Sequence, residues 1–236
     1  MSTRTAERAV GAGFLLVFLL YAGGGVMVDS GAGNPAVLSE VGDHDTLIAS
    51  GALLMLANSV VVAAIGVLLF PVLRRRCELS AVGYLVARSA EAVMLAVGTV
   101  FLLLLIPLGQ ELAASGGQGS DLPALARVAQ QANSSSFQAG MIALSIGGLV
   151  LCRVLLRAGL VPRPLALLGL LGYAALLAGS ALEVLGYGVG TALSVPGGLF
   201  ELALGVLLIS RGFTAQDGLS PPVIDLRPAP AASSAP

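Results

Sequence analysis

Six long apolar runs constrain this chain more than anything else in it. They cover roughly residues 11–28, 47–70, 82–108, 137–156, 165–187 and 191–210. About 20 apolar residues in helical form cross the hydrocarbon core of a bilayer. Lipid offers no hydrogen bonds to the backbone, so a spanning segment must satisfy its own, as a helix does. The runs therefore predict an all-α fold: a polytopic membrane protein, a six-transmembrane-helix bundle within residues 1–213. The remainder, 214–236, is rich in Pro, Ala and Ser and reads as a disordered cytoplasmic tail.

Composition excludes the soluble alternative. Hydrophobic residues make up 56% of the chain and charged residues 11%, with a mean hydropathy of +0.94. A soluble domain carries about 25% charged residues, so this chain lacks the polar surface to cover itself. The formal net charge is −1, which gives no basic footprint for nucleic acid. P-loop, nucleophile-elbow and zinc-protease patterns are absent, and no cofactor is expected. Lysine is absent too; with 31 glycines this reads as the coding bias of a GC-rich genome.

The arginines orient the bundle. Basic residues concentrate in cytoplasmic loops near helix ends. Arg4 and Arg8 precede the first span, Arg74, Arg75 and Arg76 separate the second from the third, and Arg153, Arg157 and Arg163 separate the fourth from the fifth. Arg211 and Arg227 follow the sixth. Ten of the twelve arginines thus fall on one side. Asp29, Glu40, Asp43, Asp45, Glu111 and Asp121 fall in the opposite loops. Both termini are expected in the cytoplasm. The first run is long and "YAGGGVMVDSG" lacks a clear cleavage site, so it reads as an uncleaved first helix. Cys77 and Cys152 lie beside arginine clusters and are expected as reduced thiols, since a reducing compartment disfavours a disulfide.

The loop 109–136 predicts a short separate helix over "DLPALARVAQQA", with Asp121 as its cap and Pro123 in its first turn. Near the start of the second span, "VGDHDTLI" reads as a helix N-cap beside a solvated His44, rather than a metal site. No internal repeat supports an inverted-repeat transporter.

Four phrases carry a resemblance: "LLFPVLRRR", "VARSAEAVMLAVG", "GLVPRPLALLGLLGYAALLAG" and "LFELALGVLLISRGF". In this order and spacing the chain resembles the bacterial family called domain of unknown function 4386, over most of residues 5–213. The resemblance implies a six-helix integral protein of a bacterial cell membrane, with no established activity to carry over. It implies that Glu91 and Glu201 are family features, because both lie inside the matching phrases. Family members often carry an acidic residue in the second span, where this chain has Asn58.

A charge at the centre of a membrane helix costs about 2.5–3.5 kcal/mol on insertion scales, and such residues tend to face the bundle interior. Glu91 lies about 13 Å into the third span at 1.5 Å per residue, near the midplane, and Glu201 is similarly deep in the sixth. Arg88 and Glu91, spaced i, i+3, can pair on one helix face, as a structural clamp or as a polar centre. Arg88 can also snorkel toward the cytoplasmic end. Desolvation favours the neutral form of a carboxyl, which can then donate a hydrogen bond or act as an acid. Glu91 and Glu201 are therefore the candidate catalytic pair. Arg88, Asn58 and Glu183 are candidate ligand-binding residues, although Asn58 also suits a plain interhelical hydrogen bond. Pro196, Gly197 and Gly198 read as an interruption of the sixth span just before Glu201, or as a simple kink.

Three functions fit these residues. The first is a membrane protein that binds a lipid-like or apolar ligand, an isoprenoid for example, or a partner helix. The second is an intramembrane acid–base enzyme, of isomerase or cyclase type, acting on a prenyl or other lipid substrate. The third is a proton-coupled small transporter, for which the spans offer almost no polar stripe. An apolar cavity reaching both carboxyls would favour the enzyme, and a filled bundle would favour a clamp.

Overall fold

The apolar runs become helices, and the first, second and fourth runs lie inside helices longer than themselves. The structure is a computed structural model and describes residues 3–32, 44–115 and 121–214. Among the described residues seven α-helices follow one another: α1 (Thr3–Ala32), α2 (Asp45–Arg74), α3 (Glu78–Leu103), α4 (Leu105–Ala114), α5 (Leu122–Ala158), α6 (Arg163–Val184) and α7 (Gly190–Ser210). With α3 and α4 taken together, six are long and apolar enough to cross a membrane. The expected tail beyond Thr214, with Arg227, and the loop 33–43, with Glu40 and Asp43, lie outside the described residues.

Three expectations are corrected. The third span is not one helix: α3 ends at Leu103 and α4 begins at Leu105. Pro107 explains this, since it has no N–H to give the Leu103 carbonyl four residues earlier. The helix expected in the loop before the fourth span is not separate. It is the first part of α5, which runs unbroken for 37 residues. The interruption expected at Pro196 does not occur either, because α7 is helical from Gly190 to Ser210 with Pro196 inside it.

The long helices close into a ring. α1 packs on α2, α2 on α3, α3 on α5, α5 on α6, α6 on α7, and α7 back on α1. The short α4 leans on α3 and α5. Positions 48, 52, 55, 59, 62, 66, 69 and 73 of α2 are buried, as are 81, 84, 88, 91, 95, 98 and 102 of α3. Alternating steps of three and four are the seam of helices crossing at a shallow angle. On the opposite faces Leu53, Val60 and Val67 of α2 point outward, with Val86, Val93 and Val100 of α3. Their period of seven marks a surface suited to lipid.

Small residues let the ring shut. A Cβ on Gly11 of α1 would lie 2.6 Å from the Gly205 carbonyl oxygen of α7, and one on Gly172 of α6 would lie 2.7 Å from the Gly197 nitrogen. Neither site has room for a side chain, so the backbones touch. At the arginine-rich end, Arg4 of α1 donates to the carbonyls of Leu208 (3.4 Å) and Ser210 (2.7 Å) of α7. Gly159 ends α5 with φ 61°, a left-handed conformation that glycine adopts without the clash other residues suffer. Both cysteines are free, Cys77 exposed and Cys152 buried.

Candidate functional site

Arg88, one helical turn before Glu91, sits on the inward seam of α3, and both side chains are almost fully buried. Its neighbour across the seam is Gly66 of α2, where an added Cβ would come within 3.0 Å of the Arg88 Cβ. A small residue there leaves room for the stem of the Arg88 side chain against α2.

The guanidinium serves two carboxyls. Arg88 Nη1 is 2.9 Å from Glu91 Oε2 and 3.7 Å from Glu201 Oε1 on α7. The first contact is close but poorly aligned, so Glu91 Oε2 has no hydrogen bond among the described residues, and neither has Arg88 Nε. Glu201 is better held: Tyr173 of α6 donates its hydroxyl to Glu201 Oε1 at 2.8 Å. Phe14 of α1 lies 5.9 Å from the guanidinium carbon, within the range of a cation–π contact. Arg88 and Tyr84, four residues apart on α3, are both fully buried.

This centre borders a cavity of about 310 Å³ between the helices of the ring. Arg88, Glu91 and Glu201 line it, with Tyr173 and Asn58. The rest of the wall is mostly apolar, with Val17, Leu95, Met141 and Leu176 among its members. Tyr21 of α1 and Phe137 of α5 also line it and stack on each other with centroids 5.4 Å apart. Ala22 on α1 and Val195 on α7 belong to the same wall and are also exposed on the outer surface. The cavity thus reaches the flank of the bundle between α1 and α7.

The structure brings four of the five sequence-derived site residues together, from α2, α3 and α7. Asn58 is 2% exposed, and its Oδ1 has no hydrogen-bond partner among the described residues. The interhelical bond expected of it is not made through that oxygen. Glu183 stands elsewhere. Its Oε2 accepts the Gly190 N–H at 2.7 Å, holding the first turn of α7, and it does not line the cavity. A carboxylate at a helix N-terminus suits both the unpaired N–H and the helix dipole.

Sequence reasoning missed Tyr173 and Tyr84. The available signal was the hydroxyl itself. A buried phenol in an apolar span needs a partner, and Tyr173 sits in the apolar phrase "GLLGYAALLAG". A Cβ added at Gly148 of α5 would collide with the Tyr173 ring.

Charge counting shows what the centre can do chemically. One guanidinium faces two carboxyls, and the Tyr173 hydroxyl donates to one of them. Arg88 can offset one carboxylate. The second is left to hold a proton or to meet a cation.

An all-helical membrane protein with a buried arginine–carboxylate centre on an internal apolar cavity is the class these observations define. Within that class, the chain belongs to the family described as domain of unknown function (DUF4386), whose model matches residues 9–212. The match contains Arg88, Glu91, Tyr173 and Glu201. No protein with a curated description and no solved structure matched the chain.

Proposed function

We propose that the chain binds a lipid-like or apolar molecule in the cavity of its helix ring, with the polar group of that molecule at Arg88, Glu91, Glu201 and Asn58. The observation that carries this reading is the coincidence of the two features. The one buried charge cluster among the described membrane helices lines a largely apolar cavity of about 310 Å³. That volume lies at the lower end of small-molecule pockets, about 300–1,000 Å³. A purely structural clamp has no need of an adjoining void, since a void beside it lowers stability. The arginine distribution supports both termini in the cytoplasm, and the family supports a bacterial cell membrane.

A second reading is acid–base catalysis on an alkene. It is favoured because Glu91 and Glu201 border the same cavity from different helices. One carboxyl in its neutral form would give a proton to an alkene carbon. The other, as carboxylate, would remove one from an adjacent carbon, shifting the double bond with no co-reactant.

The test is purification in mild detergent, lipid extraction and mass spectrometry, alongside Glu91→Gln and Glu201→Gln. The expected outcome is a molecule enriched with the parent protein and lost from both variants. Nothing enriched, together with reduced thermal stability in both variants, would return the cluster to the role of a clamp. A molecule enriched with the variants in a different double-bond isomer would select the enzyme.

A further inference from the structure

Resting on the proposed binding role, we infer that the cavity takes an amphiphile with a protonated amine head, the ammonium placed between Asn58 Oδ1, Glu91 Oε2 and Glu201.

The unmet hydrogen bonds of the centre argue for this head group. Asn58 and Glu91 are both nearly fully buried and both line the cavity; Asn58 Oδ1 has no hydrogen-bond donor among the described residues, and Glu91 Oε2 has its ion pair with Arg88 Nη1 at 2.9 Å but no aligned donor. Such oxygens cost free energy until a donor reaches them. They come from α2 and α3, and Glu201 adds a carboxyl from α7. An ammonium brings three N–H donors and no acceptor, which matches three acceptors arranged on three helices. A hydroxyl brings one donor.

Charge gives the same answer by a separate route. Two carboxyls face one guanidinium, so with both ionised a cationic head brings the centre to neutrality, whereas a fatty acid or phosphate head would add negative charge beside them. The contribution of a buried ion pair depends on such balance, because an uncompensated buried charge is strongly unfavourable. Arg88 Nε is the one donor in the centre that an ammonium leaves unmet, and an alcohol would meet it.

The shape of the cavity supplies the rest of the ligand. Its remaining wall is largely apolar, and it reaches the outer surface at Ala22 and Val195 between α1 and α7. An alkyl chain can lie along Leu95, Met141 and Leu176, with longer tails passing into the lipid. The aromatic pair Tyr21–Phe137 borders that path.

The experiment uses the intact protein in detergent and three probes of equal chain length: decylamine, 1-decanol and decanoate. Affinity is read by native mass spectrometry and by thermal shift. Decylamine is expected to bind at least tenfold tighter than 1-decanol, and decanoate not to compete with it. The preference is expected to shrink to near zero in Glu201→Gln and in Asn58→Leu. The three-probe comparison on the parent chain stands even where a variant fails to fold. Equal or tighter binding of 1-decanol overturns the ammonium assignment while the cavity reading survives, and tightest binding of decanoate overturns it together with the charge argument. No binding of any probe, with an enriched lipid still lost from the Gln variants, overturns the head-group assignment alone. No binding and no enriched lipid overturns both.

Discussion

Two arginines reach α7 from other helices, and they do so on different terms. Arg4 comes from α1 at the arginine-rich end of the bundle, with its side chain 36% exposed. It donates to carbonyls at the last turn of α7, groups with no partner inside their own helix, at the negative end of the helix dipole. Water can replace it. Arg88 reaches α7 from α3 inside the ring with its side chain 1% exposed, and its partners are ionisable groups. Nothing there can replace it. One guanidinium trims a helix end, and the other sets the charge of a cavity. The lesson is that contact distance says little about the role of an arginine; what surrounds the contact decides it.

The comparison is easiest to break at Arg88. Arg88→Leu leaves two carboxyls without their cation, and removing one partner of a buried pair costs about 3–5 kcal/mol. Thermal unfolding in detergent should show a larger loss than Gly148→Leu, Tyr173→Phe or Arg4→Ala produces. A variant as stable as the parent would mean the centre is not held by charge. Next in size is crowding of the helix contacts beside it. Gly148→Leu forces a side chain into the Tyr173 ring, and overpacking of this kind costs about 1–3 kcal/mol. The same unfolding assay reads it, with enhanced labelling of the buried Cys152 as a second sign that α5 and α6 have separated.

Tyr173→Phe should cost about 1 kcal/mol, the scale of one interhelical hydrogen bond in a membrane protein. It sharpens the comparison because it removes one donor from Glu201 while leaving Arg88 in place. Arg4→Ala should cost less, about 0.3–1 kcal/mol, the scale of a charge at an exposed helix end. A loss as large as that of Arg88→Leu would make the Arg4 clasp the element that closes the ring.

The smallest effect concerns reactivity rather than stability. A hydrogen bond with Ser80 holds the exposed Cys77 thiol below its ordinary pKa. The thiolate predominates above that pKa, so Ser80→Ala should move the midpoint of the maleimide rate profile to higher pH. An unchanged profile would show that the Ser80 contact is not maintained in solution. An impermeant maleimide also tests topology, because with both termini inside Cys77 should label only from the cytoplasmic face.

Much of the centre was legible before the fold. Arg88, Glu91 and Glu201 are ionisable residues within runs that can only cross a membrane, and the cost of burying them there makes them face inward. Their spacing also made the Arg88–Glu91 contact readable. Glu183 was not legible in the same way. It lies near the outer end of its span, and only the turn that starts α7 at Gly190 made it a cap. The breaks were misjudged for a local reason. Pro107 parts α3 from α4, whereas Pro196 is carried inside α7, where its backbone packs closely on Gly172.

Residue types and their order along the chain determined six membrane-crossing segments, the shared side of the arginine-rich ends and the depth of each buried charge. Those follow from transfer free energies, which depend on composition and length rather than on neighbours. Only the tertiary structure decided that α1 closes on α7, that Tyr173 meets Glu201, that Asn58 Oδ1 is left unpartnered, and that a cavity adjoins them. The physical reason is that membrane helices are apolar on every face. Periodic hydrophobicity, which marks the inner side of a soluble helix, is nearly silent here, and the inner side is chosen by close contact between small residues and by the few polar groups that must find one another.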